Sequence, residues 1–117
     1  MITMPAQVLS LLLLVVLGAT AGLDLVRSER AFAVTDRLGI PRDSVPLLGG
    51  VKVAAAIGVF VGTDIVRVAE AAGAFLVLYF AVAVLTHLRA RDGLKNTAPA
   101  AVMLAVSAAY LLATVAR

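Results

Sequence analysis

Four long apolar stretches, separated by short polar breaks, set the pattern of the chain. They run from about Pro5 to Val26, Pro46 to Gly62, Val66 to Leu88 and Ala98 to Ala116. Each reaches, or nearly reaches, the roughly 20 residues that carry an α-helix across a bilayer core. Strands of this composition would expose unpaired backbone groups to lipid, so the pattern predicts helices. The first stretch resembles a secretory signal in its leucine run followed by "GATAG". It lacks a basic residue ahead of its apolar core, and that core is long for a signal, so a retained helix is expected.

The breaks predict how the helices connect. "GTDIVR" between the second and third stretches and "ARDGLKN" between the third and fourth are short enough to force antiparallel neighbours. The first break, "SERAFAVTDRLGIPRDSVP", has room for structure of its own. Ser28 is a suitable N-cap, Phe32 and Leu38 supply apolar contacts, Gly39 is a stop and Pro41 a breaker, which predicts a short interfacial helix. Asp43 or Ser44 is expected to cap the second span, with Pro46 in its first turn, and Asp64 to cap the third. The expected fold is all-α: one integral membrane four-helix bundle over residues 1–117. Gly18 and Gly22, then Ala54, Gly58 and Gly62, then Ala69 and Gly73, recur at four-residue spacing. Such residues let helices approach closely in lipid, inside the bundle or at an oligomer seam.

Composition strengthens the membrane reading. Of 117 residues, 62% are hydrophobic and 15% charged, and the mean hydropathy is +1.07. A soluble domain of this size has too little interior to hide that much apolar surface. The formal charge of +3 is spread beside apolar segments, with no dense basic stripe or interleaved aromatics, which points away from nucleic acid. Arg27, Arg30, Arg37 and Arg42 fill the first break, and Arg89, Arg91 and Lys95 the third. The opposite face has only Arg67 and Arg117. This bias predicts that both termini lie outside and the two basic connections inside, in the cell (inner) membrane. There is no cysteine, so disulfide, thiolate-metal and dithiol chemistry are excluded for this chain. A single histidine argues against a one-chain zinc or haem centre.

Charges at membrane depth require a partner or a purpose. Asp24 lies near the inner end of the first span, Lys52 roughly 9 Å into the second from the same side, and His87 in the last turn of the third. These three, with Arg89 beside His87, form the candidate ligand or proton site, an inward-facing polar floor. The simpler alternative is a pinning Asp24–Lys52 ion pair, with His87 at the interface. On the other face, Arg67 and Glu70 are three residues apart and suited to a structural pair. Tyr79, Thr86, Ser107 and Tyr110 offer hydroxyls that could line an interior or bond backbone carbonyls. Walker loops, dinucleotide fingerprints, HExxH and nucleophile elbows are absent, so no catalytic residue and no metal site is assigned, and an enzyme is not expected.

The sequences "LGIP", "VPLLGGVKVAAAIGVFVG" and "AAGAFLVLYFAVAVLTHLRARD" resemble the DoxX-like family of small four-helix integral membrane proteins. The likeness spans roughly residues 6 to 115 and is most specific over Leu38 to Pro41 and His87 to Asp92. Relatives of this type often carry a basic residue late in the first helix and a carboxylate early in the second. Here Asp24 and Lys52 exchange those signs, which favours a retained charge pair over a fixed catalytic role. The resemblance implies a non-catalytic accessory or small-ligand-binding subunit of a membrane assembly, with a protein partner or a homo-oligomer. It also implies the alternative of a quinone-binding component of a membrane oxidoreductase, quinone being the one cofactor suggested. A small proton-coupled transporter using Asp24, Lys52 and His87 is the remaining alternative. The small multidrug-resistance transporters fit poorly, because the first span has no glutamate and the chain no tryptophan.

Overall fold

The structure, a computed structural model, describes residues 3–117 and is all-helical among them. Helix α1 covers Met4–Leu25, α2 Glu29–Leu38, α3 Val45–Val61, α4 Val66–Arg89 and α5 Leu94–Val115, with a 3₁₀ turn at Arg42–Ser44 ahead of α3. The first, third, fourth and fifth are the four long apolar helices, and the 42 Å long axis of the molecule suits a bilayer core with its interfaces. In none of the four is more than 28% of the most apolar window buried. Their outer faces therefore remain apolar, as lipid rather than water requires.

Local chemistry explains most boundaries. The Thr3 hydroxyl accepts from the Ala6 N–H, and Pro5 sits in the first turn of α1, where a missing N–H costs nothing. Ser28 caps α2 by accepting from the Ala31 N–H at 3.1 Å, and Gly39 ends that helix at φ +74°. Two expected caps are not used. Ser44 makes no capping bond, because the 3₁₀ turn runs directly into α3; Ile65, not Asp64, occupies the cap position of α4. Helix α5 begins at Leu94, a turn earlier than the hydrophobic pattern indicates, with Gly93 at φ +84° making the bend. Pro99 therefore lies inside the helix, where it cannot donate to the Lys95 carbonyl near the exposed end.

The four long helices form a ring in the order α1, α3, α4, α5, packed most extensively within the α1–α3 and α4–α5 pairs. Leu13 and Leu17 of α1, Val59 of α3, Leu76 and Phe80 of α4 and Tyr110 of α5 meet in one core. Where α3 meets α4, small residues set the distance. A Cβ on Gly62 would fall 2.7 Å from the Ala69 Cα, and one on Gly58 would lie 3.2 Å from the Ala72 Cβ. Gly73 fits in the same way against Leu111 of α5. Gly18 and Gly22 do not: nothing lies within 4 Å of a Cβ at either, so this pair faces outward from the bundle. The seam between the two helix pairs is also tied at its ends. Arg117 donates to the Gly62 and Thr63 carbonyls at 2.9 Å each, satisfying groups that the end of α3 leaves unpaired. At the far end Arg37 of α2 reaches Asp92 in the α4–α5 turn.

Gly62→Ala should lower unfolding stability in mixed micelles by about 2 kcal/mol, because helix backbone must move to admit the methyl group. Gly18→Ala, in open space, should be neutral or more stable by up to about 1 kcal/mol through helix propensity. Denaturant titration followed by circular dichroism compares the two.

Candidate functional site

The Asp24–Lys52 contact follows from helix direction. In antiparallel helices each Cα–Cβ bond leans toward its own N-terminus. Asp24, near the end of α1, leans into the bundle, while Lys52, two turns into α3, leans back toward the basic end. They meet with Lys52 Nζ donating to Asp24 Oδ2 at 2.7 Å, the two side chains only 16% and 9% exposed. Gly49 makes the approach possible. A Cβ there would lie 2.9 Å from Leu25 Cγ, 3.0 Å from Asp24 Cβ and 3.1 Å from the Ala21 carbonyl oxygen. Beside the pair, Leu17, Lys52, Phe75 and Tyr79 help line a crevice too narrow to admit a water molecule.

His87 joins a different partner. Helix α4 ends with Arg91 in the left-handed region at φ +51°, and the Asp92 N–H turns back to the His87 carbonyl at 3.1 Å. This closure, usually made with glycine at the left-handed position, folds Asp92 under the last turn of the helix. The carboxylate then lies 2.7 Å from His87 Nδ1 through Oδ2, and it accepts from Arg37 Nε at 2.9 Å through Oδ1. Asn96 donates to the Asp92 carbonyl at 3.0 Å. The Arg37 hydrogen bond, opposed by burial and supported by His87, holds the Asp92 carboxyl below its ordinary range. An ionised carboxylate only accepts, so His87 Nδ1 is the donor in this contact. Nearby on α2, the Arg42 guanidinium similarly holds Asp36 low and stacks 4.6 Å from the Phe32 ring.

The three titratable residues expected at one depth are thus divided between two clusters. Tyr79, which shares the crevice with Lys52, is eight residues before His87 on α4, roughly 12 Å along the helix axis. Arg89 is exposed and makes no ion pair among the described residues. Arg67 lies 3.5 Å from Glu70 at the opposite end. Of the candidate hydroxyls, Thr86 donates to the Val82 carbonyl, Tyr79 borders the crevice, and Ser107 and Tyr110 are buried in the bundle. Asp92 is the member of this cluster that the sequence pattern hides. Read linearly, Asp-Gly after a basic run is a helix stop. The available signal was its spacing, five residues after His87, which the left-handed closure turns into contact.

A family model described as the DoxX-like family matches residues 8–110, nearly the whole chain. The chain belongs to the DoxX-like family. No curated protein and no solved structure matches it. The matched region of this DoxX-like membrane protein contains both clusters: Asp24 with Lys52, and His87 with Asp92 and Arg37. The partners differ: Asp24 and Lys52 neutralise each other, whereas the Asp92 carboxylate is shared between an imidazole and a guanidinium.

Two measurements follow. Lys52→Met should destabilise the bundle by about 3–5 kcal/mol because Asp24 is left buried and unpaired, and Asp24→Leu combined with Lys52→Met should recover most of that loss. Micellar unfolding of the single and double variants reads both effects. For Asp92, a lowered folded pKa means a stabilising contribution that is complete above its ordinary value of 3.8 and is lost as pH falls through the folded value. Asp92→Asn should therefore be less stable than the parent at neutral pH, and the gap should close in acid.

Proposed function

We propose that this DoxX-like protein is a non-catalytic accessory subunit of a membrane assembly. It would reside in the cell (inner) membrane with both termini outside and α2 on the inner interface. The observation that carries this reading is the closed Asp24–Lys52 pair at 2.7 Å. These two little-exposed charges neutralise each other beside a crevice that admits no water, so they serve helix pinning better than turnover. The outward track of Gly18 and Gly22 supports a role in association, because an adjoining helix can approach such a surface closely. The seven basic residues of the first and third connections support the orientation. The Arg37–Asp92 contact supports it further by bringing those two connections to one end of the bundle.

Photo-cross-linking from the outward glycine track gives a direct test. Gly18 replaced by the photoreactive residue p-benzoylphenylalanine and irradiated in native membranes should give one defined cross-linked product, either a second copy or a single stoichiometric partner. The same residue at exposed Glu29 on α2, away from that track, should not. Two results would displace the proposal. Proton-coupled uptake in proteoliposomes that Lys52→Met abolishes without loss of folding would establish the transporter reading. A quinone-dependent rise in the unfolding midpoint, lost in the same variant, would establish the quinone-binding reading.

A further inference from the structure

The α4–α5 turn carries three cations within seven residues: Arg89, Arg91 and Lys95, all exposed. Its one carboxylate cannot neutralise them. Asp92 points inward, its side chain 5% exposed, held by His87 at 2.7 Å and Arg37 at 2.9 Å. Neither Arg89, Arg91 nor Lys95 makes a side-chain hydrogen bond or ion pair among the described residues. The cations therefore face outward together without a counter-ion.

Arg91 adds an independent observation. It occupies a left-handed position at φ +51°, where glycine is the unstrained choice. A cation near the end of α4 is favoured by the helix dipole, but Arg89 already supplies one inside the last turn. Arg27, after α1, has the same conformation at φ +54°, but its side chain reaches Asp43 at 3.9 Å and lies over the Phe32 ring, whereas the Arg91 side chain has no such partner among the described residues. Its setting indicates the ligand. Leu88, three residues before it, is 61% exposed, and Leu94, three residues after it, is 87% exposed. Large apolar side chains alternate here with unpaired cations at the end of a membrane-length helix, an arrangement that suits an acyl chain joined to a negative headgroup.

We propose that the α4–α5 turn is a binding site for an anionic phospholipid. Arg89, Arg91 and Lys95 engage the headgroup phosphate, and Leu88 and Leu94 contact the upper acyl chain. Arg91 is the best-placed ligand, because it is exposed at the bend itself and has no partner among the described residues. The site requires only that α4 and α5 cross the bilayer, and it stands whether or not the chain is an accessory subunit.

The test uses the full chain in detergent, titrated with phosphatidylglycerol or phosphatidylcholine and read by native mass spectrometry of the bound lipid. The parent should retain phosphatidylglycerol preferentially. Arg91→Gly should lose about fivefold in that affinity, and Arg89→Gln, Arg91→Gly and Lys95→Gln together about a hundredfold. Phosphatidylcholine retention should not change. Arg91→Gly also separates binding from folding: relieving the left-handed strain should leave the unfolding midpoint in phosphatidylcholine equal to or above the parent's while phosphatidylglycerol affinity falls. Equal phosphatidylglycerol retention by the parent and the triple variant would overturn the proposal. So would displacement of the lipid by inorganic phosphate at equal concentration, which would make the turn a site for soluble anions.

Discussion

A charge cannot remain unpaired in hydrocarbon, and much of this bundle's geometry follows from how Lys52 is partnered. Its ammonium is 2.7 Å from Asp24, a distance that requires α3 to lie almost against α1. Gly49 supplies that approach, since even a methyl group there would touch Leu25, Asp24 and the Ala21 carbonyl. Once this contact fixes the relative height of α1 and α3, the core layer of Leu13, Leu17 and Val59 falls into place. The same pair removes the two buried charges from any easy role in turnover, because each is the other's solvation.

The second organising contact lies at the basic end and joins parts distant in sequence. Asp92 is the common acceptor for His87 and Arg37, so one carboxylate connects α4, α2 and the turn into α5. At the opposite end Arg117 bonds two carbonyls just past α3. The looser seam between the α1–α3 and α4–α5 pairs is thereby tied at both ends by charged hydrogen bonds, while Gly58 and Gly62, against Ala72 and Ala69, set its spacing toward the Arg117 end. Turning Asp92 inward has an outward consequence. The turn's surface becomes purely cationic, with two leucines exposed beside it, and the strained Arg91 backbone belongs to that same local closure.

Much of the fold was legible before any coordinates because membrane helices obey a coarse rule. Four apolar runs of spanning length had to be helices, and Ser28 and Gly39 marked a short helix between the first two through capping and left-handed freedom. Opposite charges at matching depth make an Asp24–Lys52 pair legible in the sequence, and the 2.7 Å contact has that form. The placement of His87 beside them was different. Depth along a helix is a single coordinate, and two residues at similar depth can face different neighbours. The same limit hid the outward direction of Gly18 and Gly22, whose four-residue spacing equals that of the packed glycines.

By itself, then, the sequence determined an all-helical membrane chain of the DoxX-like family, its four spans, its basic end and the complementary charges inside it. Those properties depend on composition and on period along one helix at a time. The tertiary structure decided which helices adjoin, which glycines are contacts, and that Asp92 belongs to His87 and Arg37 instead of merely ending a helix. Those outcomes depend on rotation about each helix axis and on one left-handed residue at Arg91, neither of which leaves a periodic trace in the chain.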